Sequence, residues 1–531
     1  MATTTTTASP SLERNLAALG RRNAGLVEAI RTAPPREGLV FSESPDGRTI
    51  ASLDGRQLCS RRPDDESARL VDSVEVTEHG TFVFFGFGLG YHVERLARRI
   101  RDQGLIILFE PDLSLLRSVL EEIDHSEWLE TCRIVLVADP AASAELALRL
   151  SGLDLYLGLG MEFITHPASR ARLDESSAVF SSTLRDHVNT SRTMMMTTLV
   201  RSVDTARNLL LNLDHYVGGS GITDLKNAAA GYPAVLVAAG PSLQKNMHLL
   251  AQPGVRDRCV IISAQTTLKP LLRAGIRPHF VTALDFHEIS KRFYEGLDPD
   301  MVRDVTLICE PKVNPVVVDA FPGPVRCCSS SFLDRILGPV ARDMGDIPAG
   351  ATVAHLSLHF ARFLGCDPVI MIGQDLGFPD GLYYTSGTAI HDVWAPELNP
   401  FNTVEMMEWR RVAAYRPNLY RKEDHQGRLI YSDAQLTTYL QQFEREFMQQ
   451  EKAGLRVIDA TEGGVRKQHT TIMSLREALD AYAQEELPPL RVPDSRTSPD
   501  RMRSAEKRLD SVRRDVLGLR DTCRRTMALL K

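Results

Sequence analysis

The sequence predicts an α/β protein with two Rossmann-like parallel-sheet domains and a helical carboxy-terminal region. Three observations carry that expectation. Short apolar runs alternate with amphipathic segments through most of the chain, the pattern of a parallel sheet covered on both faces. Two of these runs pass directly into glycine-bearing turns, Gly86-Phe87-Gly88-Leu89-Gly90 and Gly240-Pro241-Ser242. A chain of 531 residues also exceeds one core, and at ~100–200 residues per domain it suggests about three domains. The boundaries read from composition are 1–218, 219–400 and 401–531. The last part completes the central domain and then becomes a helical tail.

In the first region, residues 13–32 have helical spacing and 50–59 read as a short hairpin. The strand Thr81-Phe82-Val83-Phe84-Phe85 runs into the triple-glycine turn, and a helix over 93–100 follows. A second strand over 105–109 ends in Glu110-Pro111-Asp112 and leads into a helix over 113–123. Residues 133–137 and 153–157 read as further strands. The glycine turn followed by Glu110 resembles a methyltransferase or dinucleotide fingerprint. Its spacing departs from G-x-G-x-x-G, so it is read as a structural Rossmann-like unit. Residues 170–216 form a helical connector, which Gly218-Gly219-Ser220-Gly221 punctuates.

The second region places strands at 234–239, 259–263, 279–283, 305–309, 325–329 and 368–372, with helices at 243–250, 268–274, 331–342 and 352–364. This spacing fits an open, doubly wound sheet. The chain then turns irregular, polar and aromatic to about residue 429, before a helix at 435–451 and a strand at 455–458. A proline-bearing linker over 488–499 precedes an arginine-rich helix over 505–530, with Leu509, Val512, Val516, Leu519 and Met527 near one face. That helix is expected to pack on its own chain or on a second protomer.

Net charge of −6 argues against non-specific nucleic-acid binding, which needs a basic field. The eight cysteines form no C-x-x-C pair, so neither a disulfide framework nor a zinc site is expected, and a reducing cytoplasm is the simple location. The threonine-rich start, residues 1–10, is no secretory signal and is expected to be disordered. No stretch reaches the ~18 apolar residues that cross a bilayer. No membrane or nucleic-acid partner is expected.

In open α/β sheets ligands sit beyond the carboxyl ends of the strands. Gly240, Pro241 and Ser242 follow the first strand of the second region. Gly240 allows a close turn, Pro241 suits a first helical position, and the helix start points N–H groups at an anion. Gln265 and Thr267 follow the next strand, then Asp285, then Glu310 and Asn314, then Ser329, then Gln374 and Asp375. Polar groups at every strand end suggest one ligand site, suited to phosphorylated or nucleotide substrates. Asp285, Glu310 and Asp375 suit either a general base or ligands for Mg²⁺. In the irregular segment Tyr383, Tyr384 and His391 are read as lining a substrate mouth. His355 and His359, four apart on a helix, lack the Glu of H-E-x-x-H and are read as a packed face, so no metal site is assigned.

Several segments together resemble the motility-associated factor (Maf) family of flagellin glycosyltransferases. They are residues 57–68, the Gly86 turn with Glu110-Pro111-Asp112, Ala239-Gly240-Pro241-Ser242-Leu243, residues 268–272 and 274–278, Gly373-Gln374-Asp375-Leu376, and Asp459-Ala460-Thr461-Glu462-Gly463-Gly464. The resemblance implies a sialyltransferase-like central domain, also similar to an archaeal pterin pyrophosphokinase. It implies transfer of a nonulosonic acid, pseudaminic or legionaminic, from a CMP-activated donor to Ser/Thr of flagellin. Gly240, Pro241 and Ser242 would face the donor phosphate, and Glu462, Gly463 and Gly464 would shape the nucleotide end. No cofactor beyond the CMP-sugar is implied, with Mg²⁺ left open. The alternatives are a Mg²⁺-dependent pterin-type diphosphokinase and a non-catalytic flagellin-binding assembly factor. Two departures stand out. The Gly-Lys-Thr-His-Ala-like stretch usual after Asp375 is replaced by Gly381-Leu382-Tyr383-Tyr384-Thr385, and the residues after Gly464 are altered around Arg466-Lys467-Gln468-His469.

Overall fold

A computed structural model describes residues 9–348, 350–414, 418–490 and 498–530. The chain divides into two compact units, Met1–Val200 and Arg201–Lys531, and the division falls within one helix, Arg170–Leu211. The expected disorder at the start and most of the expected linker at 488–499 lie outside the described residues.

The first unit opens with the helix Pro10–Thr32, capped by Ser9, whose Leu12, Leu16, Leu19, Leu26 and Ile30 are buried at helical spacing. A small antiparallel sheet follows, β1 (Leu39–Glu43), β2 (Thr49–Leu53) and β3 (Arg56–Gln57). The core sheet has β4 (Thr81–Phe85), β5 (Leu105–Phe109), β6 (Arg133–Val137) and β7 (Met161–Thr165) in the order β6-β5-β4-β7, all parallel. Every residue of β4 and β5 is buried, as expected where helices cover both faces. Residues 153–157 are not the strand their sequence suggests. They lie in and beside the helix Asp154–Gly158, and the strand comes at β7. The burial explains it: Leu153 and Leu157 are 2% and 4% exposed but Leu155 is 63% exposed, a helical spacing rather than a strand alternation.

The second unit holds β8 (Ala234–Val237), β9 (Val260–Ala264), β10 (Phe280–Ala283), β11 (Thr306–Cys309), β12 (Val325–Cys327), β13 (Val369–Ile372), the hairpin β14 (Leu419–Glu423) and β15 (Leu429–Asp433), then β16 (Val457–Asp459) and β17 (Thr471–Ile472). Its main sheet is eight-stranded rather than six-stranded, in the order β12-β11-β10-β9-β8-β13-β16-β17, and every pairing in it is parallel. Leu236, Ile262, Phe280 and Met371 pack with Leu356 and Phe360 of the helix Val353–Phe363. Val235, Ile261 and Ile370 pack on the opposite face with Leu475 and Leu479 of the helix Leu475–Tyr482. Successive strands step outward from β8 to β12, and the chain then returns to β13 on the other side of β8. The order of connection therefore reverses between β8 and β13, and the carboxyl ends there form a crevice.

The segment after β13 is more regular than its composition suggests. It forms the helices Ala389–Trp394 and Val404–Ala414 and the β14–β15 hairpin before the long helix Ala434–Lys452. The last helix, Pro499–Leu529, buries Ala505 against the core around β10 to β12, while Val516 and Leu519 farther along are exposed. Among the described residues no helix is long and apolar enough to cross a membrane.

Candidate functional site at the β8–β13 crevice

Three loops meet at the reversal. The Gly240 backbone N–H donates to the Gly373 carbonyl at 2.8 Å, and the Val465 N–H donates to the Asp375 carbonyl at 2.7 Å. The glycines are required by closeness. A Cβ on Gly240 would overlap Asp375 Oδ2 and stand 2.5 Å from the Gly373 carbonyl oxygen, and one on Gly463 would overlap the Ser242 hydroxyl. Gly373 and Gly464 also have positive φ, 65° and 73°, which a side chain would strain. So the Gly240 loop, Gln374-Asp375 and Glu462-Gly463-Gly464, far apart in the chain, are assembled into one constellation.

Inside it Ser242 and Asp375 are bound to one another. The Ser242 hydroxyl donates to Asp375 Oδ1 at 2.5 Å, and the Ser242 N–H donates to Oδ2 at 3.3 Å. The expected helix over 243–250 is a single turn, Leu243–Asn246, followed by the 3-10 helix Met247–Ala251, and Pro241 lies before its cap rather than at its first position. A one-turn helix sums few peptide dipoles, and the Gly240, Ser242 and Leu243 N–H groups are already bound, to the Gly373 carbonyl, Asp375 and the Gly240 carbonyl. Lys245 Nζ donates to the Glu462 carbonyl at 2.8 Å. The Glu462 side chain accepts from Asn246 at 2.9 Å and from the Leu475 N–H at 3.0 Å, which fixes the third loop.

Asp375 is 2% exposed, and burial raises its carboxyl from 3.8 to about 6. A native pKa above the unfolded one means the folded state holds the proton more tightly. Ionising Asp375 therefore lowers stability as pH rises from about 4 to about 6, and the difference is constant above that. Relative to Asp375→Asn, the wild-type chain should lose up to roughly 3 kcal/mol across this window. Urea midpoints for both proteins measure it, and a pH-independent difference between them would refute the assignment.

The other carboxylates differ. Asp285, whose carboxyl burial also raises, accepts from Gln265 and from the Ser290 hydroxyl at 3.2 Å. Glu310 Oε2 lies 2.5 Å from Lys312 Nζ, while the buried Oε1 has no hydrogen-bond partner. Thr267 ties the ends of β8 and β9 together, donating to the carbonyls of Val237 and Ala264 at 3.0 and 2.9 Å. Asn314 caps the helix Pro315–Asp319, Ser329 donates to Asp346 at 3.1 Å, and Gln374 lies beside Ser357 and Phe443.

The segment after β13 covers this edge. The Thr385 N–H donates to the Ala239 carbonyl at 2.8 Å, and Gln244 donates to the Thr385 hydroxyl at 2.9 Å. His391 lies in a helix and not in an irregular stretch. It is buried in the helix Ala389–Trp394 with Nε2 2.7 Å from Glu408 Oε1, and Glu408 Oε2 accepts from the Tyr383 N–H at 2.8 Å. Tyr383 and Tyr384 meet edge to face, 4.5 Å between centroids, with Arg411 over both rings. Sequence singles out neither Glu408 nor Arg411, and Lys467 only within the altered stretch after Gly464, although its buried ammonium pairs with Asp459 at 2.8 Å. For the first two, helical spacing over 404–414 places Glu408 and Arg411 one turn apart, a signal hidden by reading the segment as irregular. His355 and His359 are buried on the helix Val353–Phe363, His355 stacked on Phe443 and His359 2.7 Å from Glu446. Among the described residues no group of three His, Cys, Asp or Glu is placed to hold a metal.

The glycine turn of the first unit is filled by its own side chains. Gly86, Gly88 and Gly90 all have positive φ, and side chains there would collide with Ser169, His166 and His125. Glu110 is fully buried, gripped by both Arg172 terminal nitrogens at 2.8 Å and by the N–H groups of Phe87 and Asp112 at 3.1 Å. It has no oxygen left for a ribose.

Residues 207–381 match the family model described as 6-hydroxymethylpterin diphosphokinase MptE-like. Residues 59–135 match the glycosyltransferase Maf N-terminal domain. Among solved structures the chain is similar to a Maf glycosyltransferase from Magnetospirillum magneticum AMB-1. The identity is 17% over 94% of this chain and 78% of that one, with a TM-score of 0.50. No curated protein matches the chain. The amino-terminal match is thus to a Maf glycosyltransferase domain model over residues 59–135, and the likeness to the solved Maf structure is one of fold.

Proposed function

We propose that this chain is a glycosyltransferase that moves a nonulosonic acid of the pseudaminic or legionaminic type from a CMP-activated donor to Ser/Thr hydroxyls of flagellin. The observation that supports it best is the meeting of the Gly240 loop, Gln374-Asp375 and Glu462-Gly463-Gly464 at the sheet's reversal point, where α/β folds bind nucleotides. In this reading the Gly240 loop faces the departing phosphate, and Asp375 fixes that loop through Ser242. The carboxylate that assists deprotonation of the acceptor hydroxyl is Asp375 or Glu310.

Purified protein incubated with CMP-pseudaminic acid and flagellin should release CMP and raise the flagellin mass by whole sugar units. Unchanged flagellin mass would overturn the reading. The second reading, Mg²⁺-dependent diphosphate transfer from ATP, is favoured by the MptE-like match over 207–381. It predicts tight ATP binding and weak CMP binding. The aromatic segment from Tyr383 to Tyr431 lies beyond that match and supplies a second wall that a sugar donor would use.

A further inference from the structure

Most basic side chains around the strand ends already hold a partner. Lys312 pairs with Glu310 at 2.5 Å, Lys467 with Asp459 at 2.8 Å and Arg273 with Asp392 at 3.2 Å, and Lys245 donates to the Glu462 carbonyl. Arg411 is different. It is half-buried in the last turn of the helix Val404–Ala414, its hydrogen-bond partner is the Tyr384 hydroxyl, and among the described residues no ion pair joins it to a carboxylate. The acid one turn earlier, Glu408, is taken on both oxygens by His391 and by the Tyr383 N–H.

What flanks Arg411 instead is aromatic. Its guanidinium carbon lies 4.5 Å from the Tyr383 ring centroid and 5.3 Å from that of Tyr384. Rings attract the face of a guanidinium, and its edge N–H donors are the ones suited to a planar oxyanion. A half-buried cation without a counter-charge is unfavourable and is relieved when an anion binds. The place fits as well. Tyr384 precedes Thr385, which is tied to the Ala239 carbonyl at the base of the Gly240 loop. Burial raises the Tyr384 hydroxyl's pKa, Arg411 lowers it and Asp285 raises it.

We propose that Arg411, held by Tyr383 and Tyr384, recognises the carboxylate of the transferred sugar beside the phosphate loop. This rests on the donor reading above and deepens it. A carboxylate and a phosphate share the chemistry a guanidinium binds, so the test must separate the two sources. Calorimetric titration of wild type, Arg411→Gln and Arg411→Lys with CMP and with CMP-pseudaminic acid does so. For the sugar nucleotide, loss of a charge-assisted fork should weaken binding on the order of tenfold or more in both variants, while CMP affinity stays within about twofold.

Equal weakening of both ligands would assign Arg411 to the nucleotide phosphate and overturn the proposal. Restoration by lysine would reduce Arg411 to a helix-terminal charge and overturn it likewise. If the wild-type chain binds neither nucleotide, the donor reading falls and takes this proposal with it. If wild type binds the sugar nucleotide and Arg411→Gln binds it equally well, only the carboxylate assignment falls.

Discussion

Gly240→Ala should reduce transfer and nucleotide affinity by about a hundredfold, because misplacing a positioning loop by ~1 Å costs that much. The new methyl would overlap Asp375 Oδ2 and press on the Gly373 carbonyl at 2.5 Å. Neither neighbour can yield cheaply. Asp375 is held by two bonds from Ser242, and its backbone is packed against Gly464 so closely that a side chain there would collide with it. Gly373 O is the acceptor for the Gly240 N–H itself. Relief therefore requires the loops to part, which also lowers stability by about 1–3 kcal/mol. Gly518→Ala is the control, since it lies in the helix Pro499–Leu529 and nothing stands within 4 Å of its added methyl. Nucleotide titration and thermal melting of the three proteins read both effects. Wild-type affinity and melting in Gly240→Ala would show that the loop is not under this constraint.

That constraint marks the boundary of what sequence could show. Strands β4, β5, β8 and β9 were legible because a parallel strand buried on both faces must be apolar along its whole length. The same rule misled at 153–157, where apolar residues at alternate positions were equally compatible with a helix burying Leu153 and Leu157. The short β17, both of whose residues are exposed at the sheet edge, left no apolar run to find.

Within the site, the position of each residue after its strand was legible, but its partner was not. Ser242 and Asp375 are 133 residues apart, so only the sheet order makes the serine hydroxyl a donor to that carboxylate instead of to a ligand. Glu408 and His391 are nearer, 17 residues apart, yet their pairing needs two helices that the polar composition of the segment concealed. Periodicity reports burial, and it is silent on which polar groups meet.

Lys467→Met should cost about 3–5 kcal/mol of stability, the usual result of leaving one member of a buried ion pair without its partner. The Lys467 side chain is fully buried, and its ammonium bonds Asp459 Oδ2 at 2.8 Å and the Val465 carbonyl at 3.1 Å. Asp459 closes β16, and its other oxygen accepts from the Thr461 N–H at 3.2 Å, at the start of the Thr461-Glu462-Gly463-Gly464 loop. Removing the ammonium strands a carboxylate under the site. Lys467→Met with Asp459→Leu removes both charges, so the double variant should recover much of the loss, the signature of a buried pair. The two charges also act on Asp375 in opposite senses, Lys467 lowering its pKa and Asp459 raising it. In Lys467→Met alone the Asp375 carboxyl should therefore titrate above its wild-type value of about 6. The window in which ionisation lowers stability then extends to higher pH, and denaturation midpoints across that range would show it. A single variant as stable as the double would mean that Lys467 fills space there and carries no pairing role.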